Sequence, residues 1–338
     1  MHRDRLKLPI IIVSVLLVIA VAFGVFMALD NCTGNGDVES GAKAKELSSV
    51  YFDGELYTRK NLVTYLLIGV DEFGEVQESG SYNNTEQADF LALLVVNKTD
   101  KTYSVVHINR DTMADVDRLG IGGMKAGIVH EQIALSHTYG DGLEMSCKNT
   151  VRAVSRLLGR GKNSYGMAVD IDIDYYVSLT MDAVAVINDQ LGGVTLTLNE
   201  DEDLTEINEK WIPGATITLT GDDALLFVRS RMSVQDGTNI SRMARQRHYI
   251  EELIKQRQGT TYSYSFASDL YSEIKDYVVT NCSVGNFDDL LGYISAYEYT
   301  GTVTPEGEAK VGEKFMEFYV DEEKLDTLVR DTFYEKRK

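Results

Sequence analysis

Four charged residues fall at the ends of three apolar runs. Leu62–Val70 stops at Asp71; residues 90–96 begin just after Asp89; residues 103–108 end just before Arg110 and Asp111. Folded as an antiparallel meander, these runs would bring Asp71, Asp89, Arg110 and Asp111 to one rim of a sheet. The 17-residue connection between Asp71 and Asp89 is long enough to cross elsewhere. Two carboxylates at one rim repel unless a cation or a shared proton offsets them. A small set of oxygen donors, with room for water and phosphate, suits Mg²⁺. Asp at a strand end is equally an ordinary turn former.

A second constellation lies downstream. Residues 229–247 read RSRMSVQDGTNISRMARQR: five arginines (229, 231, 242, 245, 247) against one acid, Asp236, a local charge of +4 in a chain of net charge −19. Guanidinium forks match phosphate oxygens in pairs, and no Lys is mixed in. On a helix starting near Ser241, Arg242, Arg245 and Gln246 share a face at spacings of three and four, while Arg247 falls elsewhere and is solvated. Surface ion pairs to an acidic body are the alternative reading.

These residues need a scaffold. The continuous apolar runs suit central strands covered on both faces. Helical patterns cover 150–158, 176–191 (stopping at Gly192-Gly193), 220–227 capped by Thr220, 241–257 capped by Ser241, 266–278, 287–297 and 321–335. Residues 194–198 form a short strand. An Asp53-Gly54 turn between aromatic flanks predicts a hairpin. Mixed elements without an internal repeat indicate one α/β or α+β domain. Helix 176–191 and the strands carry more aliphatic surface than the arginines need. That surface suits an amphiphilic lipid phosphate, or plain core packing.

Composition excludes other classes. A chain with 33 Lys+Arg and 52 Asp+Glu is poorly suited to nucleic acid. Its five His form no HExxH pattern, no CxxC occurs, and GxSxG and P-loop motifs are absent. Cys147 and Cys282 are left either as a disulfide or as free thiols. At the N-terminus, Arg3, Arg5 and Lys7 precede 22 uncharged residues, 8–29, enough for one membrane span. The positive-inside bias predicts a cytoplasmic tail at 1–7, an anchor at 8–29, an extracellular tether at 30–47 and an extracellular domain at 48–338.

The ordered motifs resemble the LytR–CpsA–Psr family of cell-wall glycopolymer transferases. They are Tyr65-Leu66-Leu67-Ile68-Gly69-Val70-Asp71, Ala88-Asp89, Asn109-Arg110-Asp111-Thr112, Ile173-Asp174-Tyr175-Tyr176, Leu191-Gly192-Gly193-Val194, Leu219-Thr220-Gly221-Asp222-Asp223-Ala224-Leu225, Val228-Arg229-Ser230-Arg231 and Arg242-Met243-Ala244-Arg245-Gln246. The likeness covers residues 60–258 firmly and the remainder to about 335 more loosely.

The resemblance implies an α/β/α sandwich with a central mixed sheet, holding a polyprenyl phosphate between sheet and helices. It implies transfer of an anionic glycopolymer, of teichoic acid or capsule type, from a polyprenyl-pyrophosphate carrier to peptidoglycan at the cell membrane. By position, Asp71 and Asp89 would hold Mg²⁺. Arg110, Arg229, Arg231 and Arg242 would clamp the pyrophosphate, with Asp111, Arg245 and Gln246 beside them. A binding or regulatory module without turnover, or a polyprenyl-pyrophosphate hydrolase, would use the same groove. Three positions depart from the family pattern: Gln87 stands for an Arg, Asn109 for a Pro, and Ala134 where a Lys is common. Lys125 or Arg118 are the substitute cations the sequence offers.

Overall fold

The computed structural model describes residues 49–231, 234–260, 263–313 and 315–337. The expected cytoplasmic tail at 1–7, anchor at 8–29 and tether at 30–47 lie outside them. The strands are β1 Ser49–Phe52, β2 Glu55–Arg59, β3 Leu62–Val70, β4 Ala88–Asn97, β5 Thr102–Ile108, β6 Met113–Leu119, β7 Lys125–Gln132, β8 Tyr175–Leu179, β9 Val194–Thr197, β10 Thr216–Leu219, β11 Val278–Thr280, β12 Glu298–Val303, β13 Gly307–Val311, β14 Met316–Val320 and β15 Tyr334–Lys336. The α-helices are α1 Glu144–Leu157, α2 Met181–Gln190, α3 Asp222–Arg229, α4 Asn239–Arg257, α5 Tyr264–Ile274, α6 Val284–Ala296 and α7 Glu322–Phe333.

The central sheet runs β11-β8-β3-β4-β5-β12. Strands β3, β4 and β5 form the expected antiparallel meander, whereas β8 joins β3 and β12 joins β5 in parallel. The sheet is therefore mixed, and alternate residues of the meander feed two cores. Tyr65, Leu67, Ala92 and Leu94 pack with Ile187 of α2, Tyr249 and Leu253 of α4, and Phe287 of α6. Leu66, Ile68, Leu91 and Leu93 pack on the other face with Val154 of α1 and Leu325, Val329 and Phe333 of α7. Burial on both faces explains why the runs are apolar without alternation.

Local differences from the sequence reading have physical causes. Tyr175–Leu179 is a strand beside β3, so the helix expected from 176 begins only at Met181. The helix expected from 220 is capped at Gly221, whose φ of 50° suits glycine. The helix expected from Ser241 starts at Asn239, because the Thr238 side chain accepts from the Ser241 N–H. The last helix stops at Phe333, where β15 pairs with β2 beside the Asp53-Gly54 hairpin. The hairpins β6–β7 and β13–β14 were not read from the sequence at all. Cys147 and Cys282 are both buried free thiols, not a disulfide.

Candidate active site

The rim of β3, β4 and β5 carries the first constellation, and a bulge aims it. Gly69 pairs with Phe90 but Val70 pairs with Ala88, which leaves Asp89 as an extra residue in β4. A bulge re-aims a side chain. Asp89 and Phe90, which would point to opposite faces of a regular strand, both line one cavity. Gly69 lies opposite, where an added Cβ would come within 3.0 Å of the Phe90 Cβ.

That cavity is a trough between the sheet and helices α2, α3 and α4, enclosing about 780 Å³ of space, part of it open to solvent. Its walls are aliphatic and aromatic, among them Leu67, Phe90, Leu179, Val184, Val228 and Ile250. Its polar lining residues are Asp89, Thr180, Arg229, Arg242 and Gln246.

Asp89 is the hub of these charges. Its Oδ2 accepts from Arg242 Nη1 at 3.0 Å, and its Oδ1 pairs with Arg110 Nη1. Arg110 also donates from Nη2 to Gln87 Oε1, and its Nε lies 3.6 Å from Asp111 Oδ1. Gln87, where the resemblance leads one to expect an arginine, is thus an acceptor that grips Arg110. Arg242 is steadied by Asn239 Oδ1, which accepts from its Nε at 3.1 Å and Nη2 at 2.7 Å. Asn239 Nδ2 in turn donates to Asn109 Oδ1 at 2.7 Å. Burial pushes Arg110 and Arg242 down to about 10, so both remain cationic at neutral pH. Burial also raises the Asp111 carboxyl, against the pull of Arg110.

The other expected residues divide. Arg229 is exposed at the trough's edge, its guanidinium carbon 4.7 Å from the centre of the Phe73 ring. Arg231 is half-buried, and its field reaches Arg110, Asp111 and Arg242. Gln246 lines the trough and donates to the Val228 carbonyl at 3.1 Å. Asp71 is exposed at the end of β3, close enough for its charge to act on Arg110 and Arg242.

Arg245 departs from its expected phosphate-binding place. Its side chain is buried, with Nε on the Phe227 carbonyl at 3.0 Å and its Nη groups on Gln235 Oε1 and the Ser230 carbonyl. It satisfies carbonyls that the end of α3 leaves open. Asp111 likewise braces the rim: Gln132 Nε2 donates to its Oδ1 at 3.0 Å, and its backbone carbonyl accepts from Phe318. Lys125, one of the two substitute cations the sequence offers, has its Nζ on Asp117 at 2.8 Å. Arg118 sits on the β6–β7 hairpin, where its charge acts on Glu131. Arg247 is half-buried rather than fully solvated. Gln87, Asn239, Gln132 and Phe73 were not singled out as working residues. The polar pair Thr238-Asn239 ahead of Arg242 was the one signal available for Asn239.

The fold and this rim can be set against known proteins. The model of the LytR_cpsA_psr family matches residues 28–330. The chain belongs to this family. A Bacillus cereus protein named polyisoprenyl-teichoic acid–peptidoglycan teichoic acid transferase TagU is 28% identical over 70% of the chain and 66% of its own length. Its Bacillus licheniformis namesake is 29% identical over 69% of the chain and 63% of its own length. The chain thus spans just under two thirds of these relatives. The solved structure of TagT bound to LIIa-WTA superposes with a TM-score of 0.56, covering 81% of the chain and 90% of that protein at 19% identity. That likeness speaks for a shared fold.

Proposed function

We propose that this chain is a membrane-anchored, extracytoplasmic phosphotransferase that attaches a polyprenyl-pyrophosphate-linked anionic glycopolymer to peptidoglycan. The observation that carries this reading is an apolar trough whose polar mouth is built from Asp89, Arg229 and Arg242. The trough offers a polyprenyl tail an apolar wall, worth roughly 0.8 kcal/mol for each CH₂ group buried. The arginines sit where the lipid's phosphates would emerge. Relatives named as teichoic acid transferases support the substrate class.

In the reaction a muramyl hydroxyl oxygen forms a bond to the sugar-side phosphorus. The bond from that phosphorus to polyprenyl phosphate breaks, and the hydroxyl proton passes to solvent. Charge on the phosphoryl oxygens must be offset while the attacking and leaving oxygens stay in line. Arg229, Arg231 and Arg242 would supply positive charge at the mouth. Arg110, fixed by Asp89, Gln87 and Asp111, would set its inner edge.

Asp71 would be the freer ligand for Mg²⁺, because both oxygens of Asp89 already face arginines and one would have to exchange its arginine for the ion; substrate phosphate and water would complete the shell. Among the described residues no group of three or more acids, His or Cys could cage a metal. Metal affinity should therefore depend on a bound pyrophosphate. When bound, the ion would supply further charge neutralisation. The 8–29 segment would be the single-pass anchor, with the N-terminus cytoplasmic and the bulk of the chain outside.

One observation favours a second reading. Arg110 is already engaged by Asp89 and Gln87, so this site has fewer uncommitted cations than its family pattern, which suits a lipid-binding module without turnover. Release of polyprenyl phosphate from a lipid-pyrophosphate-linked oligosaccharide separates the cases. A transferase releases it only with peptidoglycan present, a hydrolase releases it without, and a binding module in neither mixture. Release independent of peptidoglycan, or none, contradicts the proposal.

A further inference from the structure

Helix α4 is a wall between two cavities. Its residues Arg242, Gln246, Tyr249 and Ile250 line the trough, whereas Ile240, Met243 and Arg247 line a second, open groove. At 3.6 residues per turn these faces lie about a third of a turn apart. The opposite wall of the groove is the β13–β14 hairpin and the start of α7, with Lys310, Tyr319 and Lys324. Asn109 stands at the groove's edge and is joined to Arg242 through Asn239 by bonds of 2.7 Å each. A ligand in the groove would thus lie two hydrogen bonds from the guanidinium cluster.

The lining is neither a lipid site nor a simple anion site. Met243 and Phe318 provide buried apolar surface, and Tyr319 presents a partly exposed ring. The Tyr319 hydroxyl donates to Glu317 at 2.7 Å, and Lys310 Nζ lies 5.2 Å from its ring centre. Arg247, Lys310 and Lys324 bring cations to the groove and Glu306, Glu308 and Asp321 bring acceptors. Lys310 pairs with Glu308 at 3.2 Å and Lys324 with Glu306 at 2.5 Å, so an entering carboxylate or hydroxyl would share or exchange these pairs. An aromatic flank with alternating cations and hydroxyl acceptors fits a sugar chain that also carries carboxylates. In-line displacement adds a direction. With the leaving polyprenyl phosphate in the trough, the nucleophile must approach the phosphorus from the far side. The groove reaches the cluster from another face of the same helix.

We propose that this groove is the acceptor subsite. It holds a peptidoglycan glycan strand, its peptide-stem carboxylates facing Arg247, Lys310 and Lys324, and directs a sugar hydroxyl past Asn109 toward the phosphorus. This inference rests on the transferase reading, and its test keeps the two apart.

Full-length protein in lipid nanodiscs would be assayed at saturating donor against increasing uncrosslinked glycan strand. Tyr319→Ala and Lys310→Ala are each expected to raise the acceptor KM about tenfold, with the donor KM within about twofold of wild type. Tyr319→Phe keeps the ring and should restore the acceptor KM. Val311→Ser, on the same hairpin and outside the groove lining, should leave it unchanged. An unaltered acceptor KM in both Tyr319→Ala and Lys310→Ala overturns the subsite. Titration of the strand without donor separates the two claims. If the wild type transfers nothing but binds the strand, and Tyr319→Ala binds it about tenfold more weakly, the subsite stands and the transferase reading falls. Equal binding by wild type and Tyr319→Ala removes the subsite whatever the transfer assay shows.

Discussion

Two carboxylates in this molecule each gather several cations, and they do opposite things with them. Asp117 on β6 binds Lys125 at 2.8 Å, Arg152 at 3.1 Å and Arg156 at 3.0 Å. There the acid is buried, with its side chain 4% exposed, while the three cations are 47%, 44% and 26% exposed. Burial raises the Asp117 carboxyl, but hydrogen bonds from Lys125 and Arg156 outweigh it and hold the group below its usual range. At Asp89 the cations are buried as well: Arg110 is 14% exposed and Arg242 7%. Burial pushes these two guanidinium groups down to about 10. The first cluster fastens a hairpin to α1. The second keeps desolvated cations at the mouth of an apolar trough, where a second anion would be strongly attracted. Cation number alone does not mark a site; what matters is which partner has lost its water, and whether there is space beside it.

Substitutions can break this contrast. The largest effect is expected from Arg242→Ala, which removes a cation from the trough mouth and should lower transfer at least about 100-fold. Retention of more than a tenth of the wild-type rate would mean that the buried cations are structural, like those of Asp117. Asp89→Ala is a poorer probe, since it strands Arg110 and Arg242 without their shared anion, a change that costs about 3–5 kcal/mol in buried pairs. Asp89→Asn is the better variant, because it keeps the shape.

Asp117→Ala should move stability and not chemistry. Losing a buried anion with three partners is expected to cost about 2–3 kcal/mol in denaturant unfolding, with transfer per folded molecule unchanged. A comparable loss of transfer would place the hairpin in the reaction and erase the distinction.

The acid side tests burial directly. Burial lowers His107 from 6.5 to about 3, aided by the charges of Arg247 and Arg242, and lowers His137 from 6.5 to about 4. Both folded values lie below the unfolded one. Their contribution is therefore complete above pH 6.5 and is lost as pH falls toward the folded values. Each ring should cost roughly 2 kcal/mol by pH 5. His248, raised first by its hydrogen bond to Glu202, acts in the opposite sense, favouring the fold below the unfolded value and losing that support as pH rises through its own. The raised carboxyls of Asp111 and Glu86 also favour the fold as pH falls. Thermal melts from pH 7.5 to 5 should show a net fall, made shallower by His107→Gln. An equally steep fall in that variant would contradict the assignment to His107. The smallest effect belongs to Arg152→Ala. This exposed member of the Asp117 cluster should cost less than about 1 kcal/mol in the same unfolding measurement.

The meander and the two-sided sheet were legible in the sequence because burial on both faces leaves unbroken apolar runs such as Leu62–Val70. The rim charges were legible because they end those runs. The bulge at Asp89 was not, since nothing local in Ala88-Asp89-Phe90 announces an unpaired residue; it exists only against Gly69 and Val70 of the neighbouring strand. Arg245 misled because its spacing from Arg242 suits a shared helix face, while its position is decided by distant carbonyls at Phe227 and Ser230. The β13–β14 hairpin was invisible for a similar reason. Its strand β13 is exposed at every residue and carries no buried pattern to read.

The measurement that bears most directly on the whole account is transfer itself. Full-length protein in nanodiscs would be given a lipid-pyrophosphate-linked oligosaccharide, peptidoglycan fragments and Mg²⁺, and polymer-bearing muropeptides would be sought by mass spectrometry. Such products are expected from the wild type and should be lost with EDTA and in Arg229→Ala, whose exposed side chain can be removed without disturbing the core. Wild-type rates in Arg229→Ala, or no product from a protein shown to hold the lipid, would contradict the account.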